Sequence, residues 1–326
     1  MKFLVTGATG FAGPHLMNLL LKEGHEVFGL IRCSNGRQAD VLDVMSIENY
    51  NAIIWLFSDL CDYFSLEQIF TEYQFDGVFH LAAQSHPPTS FSNPVLTYNS
   101  NVMGSVNLIT CIEKYQKDCH FHFCSSSEVY GDTCKDKGML HENTSLHPCN
   151  PYGASKAAID LYVQERIANE KIQGFITRAF SHTGPRRGYT FSISSDAYQI
   201  AKIKKDMQDK VLLIGNLKTQ RVVIDVRDCV FAYYLLMMSK CFGVFNVCGE
   251  DVYKMQYFTD RLLRFANLYD EVEQQIHKPF YRDIDIQVQI GNCKKLKIET
   301  GWCIQIPIEQ TLNDLLIYWL KHLEGK

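Results

Sequence analysis

The chain has 326 residues, 46% of them hydrophobic and 21% charged, a balance that provides for a large folded core and excludes extensive disorder. Its formal net charge is −4 and its 32 Lys and Arg residues are scattered, which excludes the basic footprint of a nucleic-acid-binding surface. No apolar run reaches the roughly 18 residues of a membrane helix. The twelve cysteines include no C-x-x-C pair, so neither a zinc nor a redox motif is expected.

From Met1 the chain passes straight into an apolar strand, Phe3 to Thr6, with no room for a signal peptide; a cytoplasmic protein with reduced thiols is the expectation. The stretch Gly7-Ala8-Thr9-Gly10-Phe11-Ala12-Gly13 separates that strand from a helix running from Pro14 to Glu23. Small residues let the backbone approach a pyrophosphate, and the free N–H groups of a helix start favour the anion. Three glycines placed directly after a first strand therefore point to a dinucleotide. A second strand follows from Glu26 to Ile31. NAD proteins carry a carboxylate just after it for the ribose diol. Arg32-Cys33-Ser34-Asn35-Gly36-Arg37 offers none, whereas Arg32 and Ser34 suit a 2′-phosphate, so NADP is expected ahead of NAD.

Ile53 to Phe57 reads as the third strand, with Asp59 just beyond it placed to accept from an adenine amine, and Val78 to Ala82 as the fourth. Helix Val102 to Tyr115, strand His120 to Cys124, helix Tyr152 to Asn169 and strand Gly174 to Thr177 continue the rhythm, which predicts an α/β, Rossmann-type, doubly wound parallel sheet. After about residue 180 the rhythm breaks at Thr183-Gly184-Pro185-Arg186-Arg187-Gly188, and a helix from Asp196 to Lys205 opens a smaller lobe. Residues 221 to 248 read again as strand, helix and strand. The expected organisation is thus a dinucleotide-binding domain of 1–180 plus about 221–248, and a smaller C-terminal substrate-binding lobe of about 181–220 plus 249–326. The apolar residues of Leu312 to Leu323 recur at helical spacing and predict a core helix.

Tyr152 and Lys156, four apart, share one helix face and suit an acid/base pair. Bringing a tyrosine from about 10 to about 7 takes roughly 4 kcal/mol, about what a lysine ammonium ~4 Å away supplies at an effective dielectric of ~20, so Lys156, helped by an oxidised nicotinamide, can make Tyr152 a proton acceptor at neutral pH. Ser126, in Ser125-Ser126-Ser127-Glu128-Val129-Tyr130-Gly131, stands directly after the His120 to Cys124 strand, at the end that faces the ligand crevice. His120 and His122 point to one face of that strand, but no third ligand has motif spacing, so a structural pair and no metal is expected.

Loop, hydroxyl motif and Tyr-x-x-x-Lys together resemble the extended short-chain dehydrogenase/reductase family over nearly the whole chain. Within that family, His80-Leu81-Ala82-Ala83-Gln84-Ser85-His86, Ser90-Phe91, Asn93-Pro94, Pro185-Arg186-Arg187-Gly188 and Gly215-Asn216-Leu217 resemble GDP-mannose 4,6-dehydratases and the related GDP-4-keto-6-deoxymannose reductases, with the dehydratases the better fit. The resemblance implies a redox-neutral lyase in which Tyr152 takes the sugar 4-hydroxyl proton, Ser126 orients the 4-oxygen, Lys156 holds the nicotinamide ribose and Glu128 removes the C5 proton as water leaves C6. It also implies that Leu60, Leu81, Ala82, Ala83, His182 and Arg187 join the glycine loop around the cofactor. The nucleotide sugar, probed at its diphosphate and ribose by Arg187, Arg221, Arg282 and Asp285, would further meet Ser85, His86, Ser181 and Asn216. A homodimer or homotetramer is implied as well.

Two departures bear on the sugar. Phe180-Ser181-His182 stands where the family carries Phe-Asn-His, and Asp225-Val226-Arg227-Asp228 is closer to the reductases, so a mannose relative such as a manno-heptose is an expected substrate beside mannose. The rival readings are an NADPH-consuming 4-keto-sugar reductase, a 4-epimerase, and a non-catalytic dinucleotide-binding module.

Overall fold

The computed structural model describes residues 1–32, 37–134, 138–280 and 286–324. Seven strands form the central sheet: β1 (Lys2–Thr6), β2 (Glu26–Ile31), β3 (Ile54–Phe57), β4 (Gly77–His80), β5 (His120–Cys124), β6 (Gln173–Ala179) and, later in the chain, β10 (Gly243–Val247). Their order is β10-β6-β5-β4-β1-β2-β3 and every pairing is parallel. Both faces are covered, which explains the nearly continuous apolar strands. Along β1, Phe3 and Val5 enter one core with Leu16, Met17 and Tyr233 of the helices Ala12–Lys22 and Val226–Met238. Leu4 points the other way, into a core with Leu66, Leu108 and Ile159 of the helices Tyr63–Glu72, Gly104–Tyr115 and Pro151–Ala168.

The remaining strands make two small sheets. β9 (Gln220–Asp225) pairs with β7 (Ser181–Thr183), β11 (Val252–Lys254) and β13 (Val288–Gln289), while β8 (Val211–Ile214) pairs with β12 (Glu273–Ile276). Of residues 221–248, β9 therefore stands in the second lobe's sheet, whereas the helix Val226–Met238 and β10 go with the seven-stranded one. A third core, with Ile200, Leu212, Phe258, Leu262, Leu315 and Trp319, holds the lobe together, and the C-terminal helix Ile308–Glu324 supplies its last members.

Two of the departures from the sequence reading have local reasons. β4 stops at His80 because the Ala82 N–H turns to the Thr6 hydroxyl, at 3.2 Å. The helix expected from Val102 starts at Gly104, after a single π turn over Asn99–Met103. Among the described residues no helix is long and apolar enough to cross a membrane. β1 and β4 are neighbours from which the chain winds outward in both directions, so the crevice outside their C-terminal ends is where a ligand is expected.

Candidate active site

One wall of that crevice is the glycine loop. Gly7 has φ +70°, the Gly10 N–H donates to Gly7 O at 2.9 Å, and a Cβ on Gly13 would sit 2.4 Å from Gly7 O, so only glycine lets the helix start against its own loop. Leu81-Ala82-Ala83 adjoin the loop, half-buried: a Cβ on Gly7 would lie 2.8 Å from the Ala82 nitrogen, whose N–H donates to Thr6 Oγ1, itself 2.7 Å from His80 Nδ1. Arg32 is exposed at the end of β2; Ser34 lies outside the described residues. Asp59 is exposed beyond β3, its Oδ1 accepting from the Cys61 N–H at 2.9 Å, and half-buried Leu60 follows it.

The helix Pro151–Ala168 opens with Asn150 as its cap, Oδ1 accepting from the Gly153 N–H at 2.7 Å, and with Pro151 in its first turn. The amide of the same Asn150 donates to Glu128 Oε2 at 2.8 Å. Ser126 accepts from the Glu128 N–H at 3.2 Å and is hydrogen bonded to the Tyr152 hydroxyl. The loop can lie this close because residue 153 is glycine: a Cβ there would come within 2.7 Å of the Glu128 carbonyl oxygen. The Tyr152 N–H donates to Ser90 Oγ at 3.0 Å, and Lys156 Nζ donates to Cys124 O at 2.7 Å while lying 4.7 Å from the Phe123 ring centre. Ser126, Glu128, Tyr152 and Lys156 are thus brought together.

Burial pushes the Tyr152 phenol well above its ordinary value, against the downward pull of Ser126 and of the Arg187 charge. Burial also lowers Lys156, opposed by Asp160. The Lys156 ammonium donates to the Cys124 carbonyl, and burial is the largest influence on the phenol.

Arg187 closes the site from the second lobe. Its guanidinium lies 3.5 Å from the Phe191 ring centre and 4.7 Å from that of Phe11, and burial draws it down to about 10. Among the described residues no carboxylate pairs with it, so a half-buried cation stands without an acid partner. His182 stacks on Phe11 at 5.8 Å and burial lowers it to about 4, leaving it neutral. His86 packs edge-on to Phe191 at 5.5 Å, with exposed Ser85 beside it.

Ser181 sits in β7 opposite Val223 of β9. Arg221, two residues earlier on β9, donates to Gln220 O at 2.8 Å and to Ile286 O. Asn216 lies in the turn between β8 and β9, its Oδ1 accepting from the Lys218 N–H at 3.1 Å. Arg282 and Asp285 lie outside the described residues. His120 and His122 are taken up by the core, His120 Nε2 2.9 Å from Cys241 O and His122 Nε2 2.7 Å from Thr177 Oγ1.

Several supporting residues went unread in the sequence. Asn150-Pro151 carried a readable signal, an Asn cap before a first-turn proline. Asn101 carried none: inside the π turn, its Nδ2 donates to Ser155 Oγ at 2.9 Å, and that hydroxyl donates to Tyr152 O at 2.7 Å.

A glycine loop at the switch point of a doubly wound sheet, with a buried Ser–Tyr–Lys group at the ends of its strands, defines the site of an extended short-chain dehydrogenase/reductase. The family profile described as GDP-mannose 4,6 dehydratase matches residues 4–315, and the chain belongs to that family. It is 29% identical to the GDP-6-deoxy-D-mannose reductase of Pseudomonas aeruginosa over 98% of this chain and 97% of that one. It is likewise 29% identical to GDP-mannose 4,6 dehydratase 1 of Arabidopsis thaliana, over 95% and 87%. The structure of RMD from Pseudomonas aeruginosa complexed with NADPH superposes with a TM-score of 0.83 at 28% identity, covering 98% of this chain and 99% of that one.

Proposed function

We propose that the protein is an NADP-dependent 4,6-dehydratase of a GDP-linked sugar, GDP-mannose or GDP-manno-heptose, yielding the 4-keto-6-deoxy product with loss of water. The observation that carries this reading is Glu128, whose carboxylate is tied to the cap of the Tyr152 helix and lies close enough for its charge to act on the phenol. A dehydratase needs a base for C5 beside the group that serves C4; a simple reductase needs only the latter.

Bound NADP supplies the hydride acceptor for C4 and the donor for C6. Tyr152 takes the 4-hydroxyl proton, helped by Ser126, which bonds the phenol and orients the 4-oxygen. Lys156 holds the nicotinamide ribose. Once C4 is a ketone, the C5 proton is acidic; Glu128 removes it and passes it to the C6 hydroxyl, which leaves as water, and the proton held by Tyr152 goes to C5 when C6 is reduced. Arg187, a cation without an acid partner, receives a phosphate of the nucleotide sugar, with Arg221, Ser181, Asn216, Ser85 and His86 along the remainder of the substrate and Arg282 and Asp285 at its nucleotide end. The glycine loop, with Leu60, Leu81, Ala82, Ala83 and His182, surrounds the cofactor. Preference for NADP is supported by Arg32 and by the lack of a carboxylate directly after β2. We further infer a cytoplasmic homodimer or homotetramer.

The test is incubation of the purified protein with GDP-mannose and GDP-manno-heptose without added cofactor, followed by mass spectrometry. Loss of one water from either sugar is the expected result. A second reading, the NADPH-consuming 4-keto-sugar reductase, is favoured by Asp225-Val226-Arg227-Asp228, in which Arg227 Nε bonds Asp225 Oδ1 at 2.8 Å. If neither sugar loses water while NADPH is consumed with their 4-keto derivatives, the reductase reading replaces the dehydratase.

A further inference from the structure

Two consecutive arginines leave the turn after β7 in different roles. Arg187 enters the crevice; Arg186 grips the glycine loop. Arg186 Nη2 donates to Thr9 O at 2.8 Å and its Nε to Gly10 O at 3.2 Å, while Nη1 donates to Asp40 O and lies 3.7 Å from Asp43 Oδ2. Its side chain is only 12% exposed. Asp43 is also held by the C-terminal helix, accepting from Tyr318 Oη at 3.1 Å with His322 Nδ1 at 3.8 Å. One guanidinium thereby ties the cofactor loop to the segment after β2 and, through Asp43, to the last helix of the second lobe.

The backbone marks this contact as imposed. Arg186 has φ +74°, a conformation that side-chain-bearing residues avoid unless their surroundings hold them there. Its neighbourhood does so: the preceding Pro185 O lies 3.1 Å from His15 Nε2, on the helix that the glycine loop opens. The groups Arg186 engages are carbonyl oxygens. In a trans peptide the carbonyl and the next residue's N–H are antiparallel, so holding Gly10 O also fixes the Phe11 N–H at the cap of the helix.

We propose that Arg186 is a positioning residue for the dinucleotide, a latch that keeps the glycine loop closed so that bound cofactor is retained rather than exchanged. This rests on the reading of the loop as a dinucleotide site. It accounts for a set of contacts that the acid/base chemistry does not use, and it suits a reaction in which the cofactor ends each cycle as it began.

The test is the dissociation rate of NADPH from the full-length protein, read by stopped-flow fluorescence of the reduced nicotinamide during a chase with excess NADP. Arg186→Gly removes the side chain while accepting the positive φ, and Arg186→Met keeps the aliphatic bulk without its donors. Both are expected to release NADPH on the order of tenfold faster, since several hydrogen bonds, each worth a few-fold, are lost together. Arg186→Lys, which keeps the charge but cannot span two carbonyls, should fall between, with melting temperature unchanged. NADPH release at the wild-type rate from either folded variant overturns the latch. A wild-type protein that binds no NADPH at all overturns instead the dinucleotide reading on which it rests.

Discussion

Replacing Asp160 by Asn would leave the Arg178 guanidinium buried without its anion. Arg178 is 2% exposed and Asp160 0%. The Asp160 carboxylate accepts from Arg178 Nε and Nη2, both at 2.9 Å, from Ser125 Oγ at 2.6 Å and from Gln164 Nε2 at 2.7 Å. Removing one member of such a pair costs about 3–5 kcal/mol, most of it the desolvation of the charge left behind. Arg178 would keep Tyr130 Oη at 3.0 Å and Glu142 O at 2.8 Å, which places the expected loss near the lower end, about 3 kcal/mol. Urea unfolding of Asp160→Asn should show a lower midpoint with an unchanged slope, and Asp160→Asn combined with Arg178→Gln should recover part of the loss because no charge is then stranded. The same substitution removes the anion that opposes desolvation of Lys156, so Lys156 should lose its proton at lower pH and the alkaline limb of activity should move down. A variant that unfolds within about 1 kcal/mol of wild type would refute the argument that the pair is an obligatory one.

Tyr152→Phe should lower turnover by about 10²–10⁴-fold while leaving NADPH binding within a few-fold, measured by product mass and by nicotinamide fluorescence. Glu128→Gln separates the two enzymatic readings: in a dehydratase, water loss falls by about 10²-fold or more and reduced nicotinamide accumulates in absorbance, whereas a reductase keeps its keto-group reduction within a few-fold. Asp196 is buried, with Thr259 Oγ1 donating to it at 2.6 Å, and burial raises it to about 7. The folded form therefore holds a proton that the unfolded chain releases near pH 4, so stability falls as pH rises from about 4 to about 7, by at most about 1.4 kcal/mol per unit. Asp196→Asn should flatten that dependence, checked by urea midpoints at either end of the window.

What could be read from the sequence was local. Gly10 and Gly13 declare a strand-to-helix turn because glycine there answers a steric demand from residues 7 and 8, and the period of apolar residues fixes β1 to β6 nearly to their ends. Tyr152 and Lys156 are joined by helix geometry alone. β9 was harder, since its apolar run Val222 to Ile224 says strand without saying which sheet, and its partners β7, β11 and β13 all come from distant turns of the chain. The surroundings of the Lys156 ammonium were out of reach for a related reason. Spacing puts Lys156 on the same helix face as Tyr152, but whether its ammonium spends its charge on the phenol or on the Cys124 carbonyl depends on where β5 ends. Arg186 and Asp160 were invisible for the same cause, as each acts on groups far away in sequence.

The arrangement of Asn150 bears on which reaction the site serves. Its side chain has one acceptor and one donor pair, and both are used: Oδ1 starts the Tyr152 helix and Nδ2 holds Glu128. A cap alone would be served as well by Ser or Asp. Neither could donate to a carboxylate while accepting from the helix in this way, because an ionised Asp has no hydrogen to give and a Ser hydroxyl is too short to reach both. Gly153 adds a second condition, since any side chain there would drive the Glu128 carbonyl away. Two positions are therefore shaped around keeping one carboxylate in register with one phenol. A proton-transfer pair acting at adjacent carbons of a single sugar requires that register, whereas a lone proton donor to a ketone does not.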